Sequence, residues 1–236
     1  MRKSSDLVRE WRVLAAFTDD AGLVRPVAVD WKALKNSGRP AIAVIRIDGR
    51  LEQLNEQLLL AEIGAMLSHW RRSGAKIAGL EIDYDCGTAR LAGYGRFLAR
   101  LRGRMDPALR LSITALPAWL SSPELDAVFA PVSEAVLQVH MMQQPHKGLF
   151  DPKMARRWID TMARRTGKPF MVALPDYGVR VDWREDGRML AVEGERPLLA
   201  GGYSATEMIV SPEIVSGFLH DLAGCGKMIA FRSAPR

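Results

Sequence analysis

Ile77-Ala-Gly-Leu-Glu-Ile-Asp-Tyr-Asp85 is the stretch of this sequence that says most about its fold. It combines the apolar character of a buried β-strand with three carboxylates, Glu81, Asp83 and Asp85, at alternate positions. Because residues i, i+2 and i+4 of a strand lie on one face, the three carboxylates project from the same side. Adjacent buried acids cannot all ionise cheaply, so the spacing favours a functional site over a structural role.

Strand-like and helix-like stretches alternate on both sides of this segment. The alternation is typical of βαβ units, in which a parallel sheet is covered on both faces. The predicted strands are residues 11–17, 41–48, 77–85, 111–117, 135–142, 170–177 and 227–232, and the main predicted helices are 51–72, 88–104, 124–130, 152–165 and 212–222.

The architecture follows from where the polar residues fall. The sequence has no glycine-rich turn of the GxGxxG or GxxxxGK[ST] type, which argues against a doubly wound nucleotide-binding sheet. Polar residues cluster instead where the strand runs end, and (β/α)8 barrels carry their active sites at that end of the strands. We therefore predict an α/β protein, a (β/α)8 TIM barrel, with residues 1–236 forming a single domain.

One segment interrupts the alternation. Two alternating runs flank Asp186-Gly187, a strong two-residue turn signal, and predict a β-hairpin insertion over 179–203, after the Pro175-Asp-Tyr-Gly178 strand end. The seven other strands leave two counts open. Either the barrel lacks its first strand, or Glu207–Ser211 supplies the eighth; we favour the first count, because 207–211 is short and runs into a helix start.

Composition narrows the classes of protein. Hydrophobic residues make up 48% and charged residues 25%, as in soluble globular proteins. The net charge of +6 comes from scattered basic residues, so we expect no nucleic-acid partner, and no apolar run is long enough to predict a membrane span. Two cysteines exclude a disulfide scaffold and a four-cysteine zinc site. The start as written predicts a cytoplasmic protein, or an exported one if a signal has been lost with the first strand.

The row of carboxylates suits glycoside hydrolysis, which needs one carboxyl group that stays protonated and a neighbour that stays ionised. Three alternatives remain open. The row is structural and neutralised by Arg46 or Arg232 from other strands, or its oxygens hold Mg²⁺ or Ca²⁺, or Cys86 is a nucleophilic thiol rather than a small strand-end residue. No second ligand motif is present, so we predict neither a metal nor another cofactor.

The segment Ala78-Gly-Leu-Glu-Ile-Asp-Tyr-Asp85 resembles the D-G-x-D-x-D-x-E strand of family 18 glycoside hydrolases, the chitinase-like TIM barrels. Residues 137–142 and 170–178 fall where that family has its Met-x-Tyr and L-G-x-P-x-Y-G strands. Residues 82–86 together with 111–120 look closer still to a bacterial family known only as a domain of unknown function, number 3142, which has no activity to lend.

The resemblance to family 18 implies a role for each acid. Asp85 holds the position of the general acid, Asp83 that of the residue orienting the substrate's 2-acetamido group, and Glu81 the outer, charge-buffering position. His140 stands where the family has tyrosine. Aspartate in place of glutamate retracts the acid by about 1.5 Å, and 1 Å misplacements can cost about 10²-fold in rate.

Other side chains at strand ends are candidates for substrate binding, each with a structural alternative. Trp119 would stack on a sugar ring or plug the core, and Arg46 and Asp48 would pair with each other or grip an anionic sugar. The remaining candidates are Gln138, His140, Asp176, Tyr177 and Arg232.

Three functions compete at this point. The first is a glycoside hydrolase-like protein acting on a polysaccharide or glycan. The second is a catalytically inactive carbohydrate-binding barrel, which the aspartate at position 85 favours, and the third is a metal-dependent hydrolase. The expected partner is a glycan or another small molecule, and the sequence does not determine the oligomeric state.

Overall fold

The computed structural model describes residues 8–51, 55–140, 149–175, 178–193, 204–224 and 230–233. The chain divides into two compact units, residues 1–136 with 165–169 and residues 137–164 with 170–236. The architecture is mixed α/β with parallel strands and helices, which confirms the predicted fold class. No helix in these ranges is long and apolar enough to cross a bilayer.

The first unit is built around a mostly parallel sheet with strand order β6-β5-β4-β3-β1-β2. Strands β1, β3, β4 and β5 run parallel, and β2 pairs antiparallel with β1. The elements in chain order are β1 Trp11–Thr18, β2 Val24–Pro26, α1 Trp31–Asn36, β3 Ala41–Ile47, α2 Glu56–Arg72, β4 Ile77–Tyr84, α3 Leu91–Arg104, β5 Arg110–Ala115, α4 Leu125–Phe129 and β6 Glu134–Gln138, the first three residues of β6 belonging to this unit.

The second unit contains a parallel strand pair and a small antiparallel sheet. Strand β11 pairs with β7, and β8 is hydrogen-bonded to β9 and β10. The elements are α5 Pro152–Arg165, β7 Phe170–Leu174, β8 Gly178–Trp183, β9 Met189–Glu193, β10 Ser204–Ile209, α6 Pro212–Gly224 and β11 Ala230–Ser233.

Strands β8 and β9 form the predicted hairpin, and three residues, 185–187, make its turn, because the Arg184 N–H donates to the Arg188 carbonyl at 2.8 Å. Gly187 adopts φ +76°, which a residue with a side chain rarely reaches, and its N–H donates to the Arg184 carbonyl at 3.0 Å. The alternative that used Glu207–Ser211 as an eighth barrel strand is wrong. Residues 207–209 belong to β10, which pairs antiparallel with β8, so the segment is part of the small sheet.

Burial explains why the strands lack strict alternation. Ala41–Ile45 of β3 are all at most 2% exposed, as expected for a parallel strand covered on both faces. Helix α2 begins at Glu56, later than the apolar stripe from Leu51 predicts, because the Asn55 side chain caps it by accepting from the Leu58 N–H at 3.1 Å.

A buried ion-pair network ties the strands of the first unit together. Arg12 of β1 donates from Nε to Oε2 of Glu81 on β4 at 2.7 Å, and from Nη2 to Oε1 of Glu134 on β6, also at 2.7 Å. In a flat sheet β1 and β6 would lie about 19 Å apart, since four steps of about 4.8 Å separate them. The side chains meet because the sheet is curved. The curvature brings the side chains of β4 and β6 within reach of Arg12.

Two further residues complete this network. Arg110 of β5 binds Glu134 through Nη1 at 3.1 Å, and Glu10 accepts from both Arg12 and Arg110. Burial raises the pKa of Glu10, but the two guanidinium groups outweigh it and leave the pKa below its ordinary value. Arg12 and Arg110 therefore stabilise the charged form of Glu10.

We predict that Arg12→Leu destabilises the protein by about 3–5 kcal/mol, because it leaves the fully buried Glu81 carboxylate without its cation. Urea unfolding measures the loss. The matched control is Arg25→Leu, which removes a guanidinium that is 54% exposed and should cost no more than about 1 kcal/mol. Adding Glu81→Gln to Arg12→Leu should recover part of the stability; equal losses in Arg12→Leu and the control would contradict the network's role.

Candidate functional site

Arg46 and Asp83 stand side by side on the polar face of the sheet. The strand register pairs Arg46 of β3 with Asp83 of β4, so the two side chains share a face. Nε of Arg46 lies 3.6 Å from Oδ2 of Asp83, and Nη2 lies 4.0 Å from Oδ2 of Asp85. One guanidinium group therefore faces two of the three predicted carboxylates.

Asp83 is buried and incompletely satisfied. Its residue is 4% exposed, and its Oδ1 accepts no hydrogen bond from the described residues. Thr114 of β5 follows the residue paired with Ile82, and its buried Oγ1 likewise lacks a partner within the same ranges. Buried polar atoms are normally hydrogen-bonded, so these two are polar atoms whose partners the described residues do not supply.

Asp85 lies just beyond the end of β4, and its side chain is 44% exposed. Partial burial, the Asp83 carboxylate and, more weakly, the Asp48 carboxylate raise its pKa, and the Arg46 guanidinium offsets part of this. The result is a pKa of about 6. Asp85 can thus carry a proton at a pH where an ordinary aspartate is ionised.

The loop after β3 fixes the backbone at Asp85. A Cβ atom on Gly49 would lie 2.0 Å from the Asp85 carbonyl oxygen, so only glycine allows this approach. Arg90 holds the loop from the other side, since its Nη1 donates to the carbonyl of Gly49 at 3.1 Å and to that of Leu51. No motif in the sequence predicts either role.

Asp48 does not pair with Arg46 as expected. Its carboxylate accepts from the backbone N–H of Arg50 at 2.8 Å and binds Nη2 of Arg50 at 2.6 Å. The turn after β3 brings Arg50 within reach of a carboxylate only two residues away, whereas Arg46 is turned towards Asp83. Asp48 still faces the site closely enough to affect the pKa of Asp85.

Glu81, the third member of the row, is bound by Arg12, a cation that the sequence did not single out beside Arg46 and Arg232. It is fully buried, its Oε2 accepts from Arg12 at 2.7 Å, and Ser112 donates to the same oxygen at 3.0 Å. The curl of the sheet explains the difference, because it carries Arg12 of β1 across to β4.

Trp119 is fully buried and offers no ring face for a sugar to stack on. Its Nε1 donates to the Cys86 carbonyl at 2.9 Å, and its ring packs edge-on against Tyr94 at 5.9 Å. These contacts favour the core-plug alternative. Cys86 is 1% exposed and burial raises its pKa to about 12, so its thiol stays protonated, which favours the interpretation as a small strand-end residue over a nucleophile.

Phe17 is a residue that the sequence did not single out. The register of β1 and β3 pairs it with Arg46, and it is 39% exposed, although its neighbours Ala16 and Thr18 are buried. In the sequence it looks like one more apolar strand residue. Only the register shows an exposed aromatic ring beside Arg46.

The other candidates stay predictions. Gln138 ends β6 and His140 follows it, both half-buried in the second unit. Asp176, Tyr177 and the side chain of Arg232 lie outside the described residues. Within the described ranges, no group of three His, Cys, Asp or Glu side chains is arranged to hold a metal ion.

Solved structures with a similar fold are chitinase-like TIM barrels. The spore cortex-lytic enzyme SleL of Bacillus cereus matches with a TM-score of 0.60 and 14% identity over 93% of this chain and 53% of its own. A chitinase from Chromobacterium violaceum matches with a TM-score of 0.59 and 10% identity over 94% and 71% of the two chains. A class V chitinase from Nicotiana tobaccum matches with a TM-score of 0.53 and 15% identity over 94% and 74%.

These likenesses concern the fold, and this chain spans about half the length of the SleL structure. No curated protein matches the chain. A family model described as "Domain of unknown function (DUF3142)" matches residues 37–228.

We predict that Asp85→Asn raises the melting temperature at about pH 8 and changes it little at about pH 4. The pKa of Asp85 is raised from 3.8 to about 6 in the folded state, so its stabilising contribution is present below about pH 4 and lost as the pH rises through 6. Asparagine cannot ionise and escapes that loss. Thermal unfolding against pH measures the difference, with Asp20→Asn, whose side chain is 96% exposed, as the control. An equal offset at both pH values would show that Asp85 titrates normally.

Proposed function

This chain belongs to the DUF3142 family, and we propose that it is a glycoside hydrolase-like protein that cleaves a polysaccharide or glycan by carboxylate acid/base catalysis. The observation that carries the proposal is a pair of acids in contrasting environments. Asp85 is accessible and holds a proton up to about pH 6, while Asp83 beside it is buried and one of its oxygens has no partner among the described residues. Pairs of acids in environments this different are typical of acid/base sites.

The resemblance to family 18 supplies the roles. Asp85 donates its proton to the glycosidic oxygen as the bond between this oxygen and C1 breaks. The carbonyl oxygen of the substrate's 2-acetamido group forms a bond to C1, and Asp83 orients that group and stabilises the oxazolinium ion through its unpartnered Oδ1. Water then attacks C1, the bond between C1 and the acetamido oxygen breaks, and a proton of the water passes to Asp85, which restores the acetamido group and the protonated carboxyl group.

The fold likeness to proteins titled chitinase and spore cortex-lytic enzyme supports a glycan as substrate, although at 10–15% identity it carries no activity over. Gln138, His140, Asp176, Tyr177 and Arg232 remain proposed contacts to that glycan. Glu81 is proposed to act from a distance, as a buried negative charge within the ion-pair network.

In place of Trp119, we propose Phe17 as the residue on which a sugar ring stacks. Its ring is exposed and lies one strand away from Arg46, two from Asp83. Sugar rings present an apolar C–H face, and aromatic side chains give a large contact area at small entropic cost.

A carbohydrate-binding protein without turnover is the second candidate. Aspartate at the acid position favours it, because the carboxyl group is retracted by about 1.5 Å from where glutamate would hold it. The two candidates differ in turnover and agree in binding.

A panel of chitin oligosaccharides, peptidoglycan fragments and uronic-acid polysaccharides tests the proposal. We expect wild type to release reducing ends from at least one of them, and Asp85→Asn to lower kcat by about 10²–10⁴-fold, because it cannot donate a proton. Asp85→Glu should keep part of the activity, and Asp20→Asn should match wild type. The wild-type rate should fall as the pH rises above about 6, where Asp85 loses its proton.

Three outcomes of this panel would each contradict a different part of the proposal. Binding to a glycan that no variant cleaves would support the binding protein, and an Asp85→Asn variant that stays fully active would remove Asp85 from the mechanism. Neither binding nor cleavage by wild type would end the glycan proposal.

For Phe17, we predict that Phe17→Ala raises KM about 10-fold, the loss of roughly 1.4 kcal/mol that an aromatic contact contributes, and changes kcat little. Steady-state kinetics on the best substrate of the panel gives both constants. Phe17→Tyr keeps the ring and serves as the control. A fall in kcat with KM unchanged would contradict a stacking role.

A further inference from the structure

Arg46 is the one cation that the described part of the chain pairs with either Asp83 or Asp85. It reaches each carboxylate through a different nitrogen, Nε towards Asp83 and Nη2 towards Asp85. Arg50, a basic side chain in the loop after β3, is already bound to Asp48 at 2.6 Å. The electrostatic balance of the two acids therefore depends on Arg46.

The two contacts of Arg46 are unequal. The distance to Asp83 is 3.6 Å and the distance to Asp85 is 4.0 Å. Asp83 is also buried, whereas Asp85 is 44% exposed to water, which screens its interaction with the guanidinium group. Coulomb attraction grows as distance and effective dielectric fall, so Arg46 stabilises a negative charge on Asp83 more than one on Asp85.

Arg46 acts through its charge and not through a fixed hydrogen bond. Both distances exceed the 2.7–2.9 Å typical of a charge-assisted hydrogen bond, and the guanidinium group is 53% exposed. By contrast, Arg12 is 6% exposed and binds Glu81 at 2.7 Å. A lysine at position 46 would therefore preserve the effect, because it keeps the positive charge. This substitution distinguishes the effect of the charge from that of the guanidinium geometry.

We propose that Arg46 is a positioning residue that sets the pH at which Asp85 gives up its proton, by offsetting the negative charges of Asp83 and Asp48 beside it. This inference rests on the proposed function for its catalytic meaning, because general-acid catalysis needs the proton on the accessible carboxyl group. It goes beyond that function by assigning the working pH to a residue on the neighbouring strand.

The other charged groups around Asp85 do not replace Arg46. Asp83 and Asp48 are anions that raise the pKa of Asp85. Arg50 is engaged by Asp48, and Arg90 donates to the carbonyl groups of the loop. Among the described residues, removing Arg46 leaves Asp83 and Asp48 without a cation that offsets their effect on Asp85, so Asp85 should keep its proton to a higher pH.

The first test follows proton binding and does not require a substrate. In wild type, the gain in melting temperature from Asp85→Asn should begin above about pH 4 and level off near pH 6, the folded-state pKa of Asp85. We call the pH at which half of the gain is reached the stability midpoint. In an Arg46→Gln background, the gain should level off at a higher pH and the stability midpoint should move upward. In an Arg46→Lys background it should stay near the wild-type pH, and the matched control Arg25→Gln, which changes a guanidinium bound to Asp19, should also leave it unmoved.

The second test uses the pH profile of kcat on whichever glycan is cleaved. Arg46→Gln should shift the alkaline limb of the profile, where kcat falls, to higher pH. Arg46→Lys should leave this limb near its wild-type pH. A role limited to folding would lower kcat without moving the limb. If Arg46→Gln leaves both the stability midpoint and the limb unmoved, the inference is overturned.

The two proposals fail separately. If no glycan is cleaved but the stability midpoint moves as expected, the role of Arg46 stands and the glycoside hydrolase proposal falls. If a glycan is cleaved but the midpoint and the limb stay in place, hydrolysis stands and the role of Arg46 falls.

Discussion

The charge of Glu81 is the constraint on which the rest of the first unit depends. A fully buried carboxylate on a central strand needs a cation, and the cation comes from Arg12, which lies on β1, two strands away in the sheet order. Arg12 also binds Glu134 on β6, which only a curled sheet allows. The ion pairs and the curl therefore require each other: the curl brings the charges together, and the charges would be unpaired and costly if the sheet opened.

The same strand carries the three acids from this anchor to the site, and their environments change along it. Glu81 is fully buried and bound to Arg12. Asp83 is buried beside the more distant Arg46, and one of its oxygens has no partner in the described part of the chain. Asp85 is partly exposed and has a raised pKa. Spacing in the sequence makes the three look equivalent. Their depth separates them into a structural group, an orienting group and a proton carrier.

The end of β4 is held from the opposite face, so Asp85 does not depend on the polar face alone. The indole of Trp119 binds the carbonyl of Cys86, and Tyr94 packs against the rings of both Tyr84 and Trp119. Gly49 and the loop above it close over the Asp85 backbone. Residues that look like candidates for chemistry, a tryptophan and a cysteine at a strand end, serve as this support. A proton carrier on a rigid element is positioned more accurately than one on a free loop.

The sequence by itself determined the features that depend on local pattern: alternating strands and helices, the hairpin turned by Asp186-Gly187, and carboxylates that share one face of β4. These follow from periods of two and 3.6 residues and from glycine's backbone freedom, which neighbouring residues reveal. Tertiary structure alone decided the partners. Arg12 and Glu81 are 69 positions apart, and Phe17 meets Arg46 through strand register. The burial of each residue depends on how the sheet packs and cannot be read from residue spacing. It is burial that raises the pKa of Asp85 and hides Trp119 from solvent.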